Sequence, residues 1–113
     1  MRRLFPLLLL AACTGGASEG LVWEPVLQAD DRGAFMMAWA AAPGDVWIVG
    51  GQPDAGIVLR GDRDGLSEVP VPDGTPLLNW IHGTGPDDVW VAGLSGTLLH
   101  WDGSAWTDRS QET

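Results

Sequence analysis

The chain has 113 residues, with 15 acidic against 6 basic side chains, a formal net charge of −9 at pH 7, 16 glycines, 7 tryptophans and one cysteine. That length builds one domain with a limited core. The acidic balance, with no lysine at all, excludes a phosphate-reading nucleic-acid binder and disfavours direct docking on anionic headgroups; a lone cysteine excludes an intrachain disulfide and a thiolate metal cluster.

Residues 1–12 read as a leader rather than as part of the fold. Arg2 and Arg3 give a positive start, Leu4 to Leu10 an apolar run, and Ala11 and Ala12 the small residues a signal peptidase tolerates. The run falls short of the roughly 20 apolar residues a membrane-spanning helix needs. Its end, Leu10-Ala11-Ala12-Cys13, resembles the lipobox of bacterial lipoproteins. The resemblance implies cleavage before Cys13, a diacylglyceryl group on its thiol and acylation of the new amino terminus. Each buried methylene of such chains contributes about 0.8 kcal/mol, so several chains hold a protein stably. The alternatives are an ordinary cleaved signal that leaves Cys13 a free thiol, or a cytosolic protein with an apolar start. Thr14 is not the Asp that marks inner-membrane retention in enteric bacteria, which points to the outer membrane.

Cleavage would leave 101 residues with four arginines against the fifteen acidic side chains, a charge near −11. Residues 13–20, Cys13 followed by Thr-Gly-Gly-Ala-Ser-Glu-Gly, have the small, polar composition of a flexible spacer. From there to residue 108 no segment keeps a period near 3.6, so almost no helix is expected. Short apolar runs bounded by Gly, Pro and Asp predict strands at 21–26, 35–42, 45–50, 56–61, 66–71, 77–83, 88–93, 96–101 and 104–108. Residues 109–113 form a tail.

Those runs repeat. Pro43-Gly44-Asp45-Val46-Trp47 returns 43 residues later as Pro86-Asp87-Asp88-Val89-Trp90, and each is followed by an apolar pair and a glycine. Met36-Met37-Ala38-Trp39 aligns with Leu77-Leu78-Asn79-Trp80, and Gly56-Ile57-Val58-Leu59-Arg60 with Gly96-Thr97-Leu98-Leu99-His100. Gly20-Leu21-Val22-Trp23, Gly65-Leu66-Ser67-Glu68 and Gly103-Ser104-Ala105-Trp106 supply a third motif, in which Glu68 stands at the place of Trp23 and Trp106; residues 52–55 look inserted. A period near 40 with four strands per unit is a propeller-blade signature. The Asp-Val-Trp strands are apolar on both faces and must be covered on both. Trp47 and Trp90 are therefore expected to be equivalent and buried.

The second unit, from Gly83 to Thr107, resembles repeats of secreted β-propeller-like proteins of myxobacteria and the tectonin repeat of lectin propellers. What the resemblance implies is an all-β fold of two four-stranded antiparallel propeller-type blades plus a leading strand, a partial β-propeller over residues 21–108. Two units depart from the four to eight blades usual in propellers, and so predict either self-association or partial disorder.

Chemistry-bearing residues are few. Asp45, Asp87 and Asp88 precede the Val-Trp strands, where Asp most often bonds its own turn; Asp87 and Asp88 could instead hold a ligand. Gly61-Asp62-Arg63-Asp64-Gly65 lacks the further carboxylates of a calcium loop and reads as a hairpin turn. His82 and His100 lack metal-ligand spacing, and no catalytic or phosphate-binding motif occurs. Trp39, Trp80 and Trp101 are candidate exposed indoles for stacking on a sugar or anchoring a partner. No catalytic residue, metal site or cofactor is assigned, and Cys13 is the expected lipidation site. The expected function is a non-catalytic, lipid-anchored binding or scaffolding module of the cell envelope, tied to the membrane through Cys13 and able to meet itself or another propeller-containing protein. A tectonin-like lectin for surface glycans is the alternative within binding proteins. A truncated propeller fragment and a glycosidase-type propeller enzyme are the others, the last requiring paired carboxylates around a closed centre.

Overall fold

The computed structural model describes residues 20–111. The expected leader 1–12, Cys13 and all of the spacer but Gly20 lie outside the described residues. The described chain is all-β. Its strands are β1 (Ala34–Ala42), β2 (Asp45–Gln52), β3 (Ala55–Asp62), β4 (Gly65–Glu68), β5 (Leu78–Gly85), β6 (Asp88–Gly93), β7 (Leu98–Trp101) and β8 (Trp106–Asp108). They form two four-stranded antiparallel sheets, ordered β1-β2-β3-β4 and β5-β6-β7-β8.

Turn chemistry explains why both sheets are simple meanders. Pro43 and Gly44 join β1 to β2; proline presets the first turn position and Gly44, at φ +76°, takes the left-handed second. Pro53-Asp54 and Arg63-Asp64 make the next two links equally short, and Asp62 Oδ1 accepts the Asp64 N–H. Before β8, Asp102 Oδ1 accepts the backbone N–H groups of Ser104 and Ala105. These are local Asx turns that need no ligand to hold them.

The two sheets are built to one register. Every β1–β2 pair from Phe35↔Gly50 to Ala42↔Asp45 returns 43 residues later between β5 and β6, with bulges at the same two places. The following ladder keeps its pairing at a spacing of 40, so Trp47↔Arg60 corresponds to Trp90↔His100. The three residues are lost where the β2–β3 hairpin gives way to a 3-10 turn at Leu94–Gly96, with Ser95 at φ +58°.

This register corrects the sequence alignment. Trp39 corresponds to His82 rather than Trp80, and Met37 to Trp80, because hydrogen-bonded pairing fixes the first strand at a spacing of 43. Leu66, not Glu68, stands at the place of Trp106. The expected leading strand at 21–26 is absent: these residues have no regular structure, and Trp23 is 99% exposed. A strand exists by pairing, and each sheet draws all four of its strands from its own meander. The strand expected at 66–71 stops at Glu68, just before Pro70 and Pro72 interrupt the ladder.

Both sheets contribute to one core. Trp47, Val49 and Val58 of the first sheet meet Leu78, Ile81, Val89, Val91 and Leu99 of the second, all at most 1% exposed. Each such side chain contributes roughly 1.5–3 kcal/mol on burial. The register shows which faces touch. Trp47 and Val49 point into the core, but their counterparts Trp90 and Ala92 do not; in the second sheet Val89 and Val91 point in, the counterparts of Val46 and Ile48. The sheets therefore stack front to back. Trp90 is consequently half-buried rather than buried, so Trp47 and Trp90 share a register position but not an environment.

Candidate functional site

Stacking front to back leaves the front of the second sheet open, and the side chains on it can be judged against their covered counterparts in the first. In the first sheet Asp45 opens β2 and Arg60 lies across from Trp47 in β3. Arg60 Nε and Nη2 donate to the two carboxylate oxygens of Asp45, each at 2.9 Å. The same guanidinium lies 4.6 Å from the centre of the Trp47 ring, a cation–π contact. The Asp45 carboxyl is held below its ordinary value, chiefly by the Arg60 hydrogen bonds, against a smaller opposing effect of burial.

The second sheet rebuilds this arrangement. Asp88 opens β6, and His100 lies across from Trp90 in β7. His100 Nε2–H donates to Asp88 Oδ1 at 2.6 Å, and Thr84 Oγ1 donates to Asp88 Oδ2 at 2.6 Å. The His100 ring packs on Trp90 with centroids 4.3 Å apart. The Asp88 carboxyl is held below its ordinary value by Thr84 first and His100 second. A carboxylate, a nitrogen donor and an indole thus occur twice: once with the indole fully buried under the other sheet, once with it half-buried on an open face.

Beside the open set runs an aromatic line. Trp80, 43% exposed, lies 6.0 Å from His82, which lies 6.1 Å from Trp39 of the first sheet. Two of the sequence-predicted ligand residues, Trp39 and Trp80, are joined by His82, which has no expected ligand role. Trp101 is elsewhere. It packs with Trp47 and Trp106 at 6.1 and 5.2 Å, and its indole N–H, like that of Trp47, is buried without an acceptor among the described residues. Asp87 is exposed in the β5–β6 turn, against Gly103, and its charge reaches Arg60. Asp88 belongs to the open face, so of the five predicted residues Trp80 and Asp88 share that face and Trp39 touches its border. Cys13 lies outside the described residues.

What this surface can do follows from its bonding. Both oxygens of Asp45 and of Asp88 are already engaged by protein donors. Such carboxylates hold the Arg60 guanidinium and the His100 imidazole in place; they are not poised to take a substrate proton or a metal. Among the described residues no three His, Cys, Asp or Glu side chains gather as metal ligands would. Flat, oriented aromatic rings beside a carboxylate already engaged by protein donors suit contact and stacking. No protein-family model, curated protein or solved structure matches this chain.

The sequence offers no metal-ligand role to His82 and His100 and singles out neither Arg60 nor Thr84 as a site residue. A signal for two of them existed: Arg60 and His100 end the aligned Gly56–Arg60 and Gly96–His100 segments, so a nitrogen-donor side chain holds the same place in both.

Proposed function

We propose that the chain is a non-catalytic binding or scaffolding module of the cell envelope, held by lipid on Cys13, with each four-stranded sheet serving as a propeller-type blade. The common register and the front-to-back stacking support the blade reading, since blades around an axis each turn one face to the next. The observation that carries the binding reading is the repeated set of carboxylate, nitrogen donor and indole. In the first sheet its indole, Trp47, is fully buried beneath the second sheet, while the Arg60 and Asp45 side chains keep 32% and 19% exposure; in the second sheet Trp90 is only half-buried and stands with Asp88 and His100 on the open face beside exposed Trp80. Aromatic rings held rigid on an open face are a contact surface.

Placing a photo-crosslinking residue at position 80 of the full-length chain, in a bacterial host that processes lipoproteins, tests this. A discrete adduct in the membrane fraction is the expected result. Illumination that yields no adduct would remove the binding reading.

A second reading, a tectonin-like lectin, is favoured by the line Trp39–His82–Trp80, whose spacing suits stacking of a sugar ring. Binding on a glycan array that is lost in Trp80→Ala would select it over scaffolding.

A further inference from the structure

We infer that the open face of the second sheet docks on the back of the first sheet of a second copy of this chain, so that copies join head to tail. This rests on reading that face as a contact surface, and it names the partner. The sheet-to-sheet contact within the chain supplies the pattern. There β5 crosses β1 and β2, and Trp39 lies over Gly83, where a Cβ would stand 3.0 Å from Trp39 Cη2. The register makes His82 the counterpart of Trp39, and Ala40 the counterpart of Gly83. Repeating the contact by one sheet sets His82 of one copy against Ala40 of the next.

The receiving surface exists and is unoccupied along β1. Ala38 and Ala40 are exposed, and Val46 and Ile48 beside them are half-buried, while Leu59 farther across the sheet is already covered. These four are small or aliphatic and uncharged, which suits flat indoles as Gly83 suits Trp39. The donating surface has its one carboxylate, Asp88, engaged by His100 and Thr84. Along β1 and β2 an acidic chain can therefore meet itself without bringing unpaired charges together, since Glu68, exposed on the same face, stands at the far edge of the sheet on β4.

Because the two surfaces differ, each contact leaves a free surface at both ends until the assembly closes. Counting the two described sheets of each copy, this contact closes a ring of about four to eight sheets at about two to four copies. Tethering on one membrane raises the effective concentration that drives it.

The test uses two differently tagged full-length copies in one cell, one carrying His82→benzoylphenylalanine. The expected adduct links the two tags and maps to Ala38–Ile48 of the other copy. Ala40→Arg in the receiving copy should lower its yield about tenfold, and Ala40→Ser should preserve it. The same crosslinker at Trp80 provides a second site should the substitution at 82 disturb β5. Four results overturn the inference: an adduct to the β5–β6 face of the second copy, an adduct to any other molecule, no adduct from either position, or a yield indifferent to Ala40→Arg. An adduct to another molecule would leave the contact-surface reading standing, whereas the absence of any adduct would remove both.

Discussion

Asp45 is gripped on both carboxylate oxygens by Arg60, while Asp88, at the same register position 43 residues on, is gripped by His100 and Thr84. A two-pronged, half-buried pair of this kind is among the stronger hydrogen-bonded contacts. Asp45→Asn should lower stability by about 1.5–3 kcal/mol, the range for hydrogen bonds to charged groups. Chemical denaturation of the variant against the wild type measures it.

Acid should act through the same groups. The carboxyls of Asp45, Asp88, Asp102 and Asp108 are all held below their ordinary value in the fold. A carboxyl with a depressed folded pKa binds its proton more readily when unfolded. The stabilisation is complete above the unfolded value of about 3.9 and is lost as pH falls through the lower folded values. Melting temperatures should hold above about pH 5 and fall steeply below about pH 4. Asp45→Asn should make that fall shallower, and an unchanged slope would show that the pair contributes nothing to acid sensitivity.

How far the sequence reached is visible in particular residues. Trp47 and Trp90 were legible as register equivalents because Asp-Val-Trp strands flanked by turn residues are local patterns. Their different burial was not legible, since it depends on which face of each sheet meets the other, and both faces are apolar in sequence. Trp39 was paired with Trp80 by residue identity, whereas the bulges between Phe35 and Met37 and between Leu78 and Trp80 belong to a ladder spaced at 43. The strand expected at 21–26 failed because alternation describes a chain ready to pair, not a ladder to pair with. The bond from His100 to Asp88 joins residues 12 apart through a 3-10 turn that no periodicity announces.

Front-to-back stacking makes the two equivalent tryptophans unequal in energy. Trp47→Ala empties a fully buried site and should cost about 3–5 kcal/mol. Trp90→Ala, at a half-buried ring on the open face, should cost clearly less in the dispersed protein. Equal losses in denaturant titrations would contradict the assignment of faces.

The close approach between the sheets can be probed by adding one methyl group. At Gly83 a Cβ would stand 2.2 Å from the Asp88 carbonyl oxygen and 3.0 Å from Trp39, whereas at Gly65 nothing lies within 4 Å. Gly83→Ala should destabilise by about 1–3 kcal/mol, as overpacking does. Gly65→Ala should be near neutral. Thermal melts of the pair, with Gly65→Ala as the control for backbone effects, decide it.

The proposed tether makes its own prediction. Cys13→Ala should move the chain out of the membrane fraction or leave an uncleaved precursor, and labelling with a palmitate analogue should mark the wild type alone. Labelling that persists in the variant would place the lipid elsewhere.

The central claim, that the open face of the second sheet is a contact surface on the membrane, is tested most directly by hydroxyl-radical footprinting of Trp80. Trp80 is 43% exposed in the isolated chain and Trp23 is 99% exposed. In native membranes Trp80 should oxidise more slowly relative to Trp23 than it does after dilution into detergent. An oxidation ratio that is the same in membranes and in dilute detergent would contradict the account.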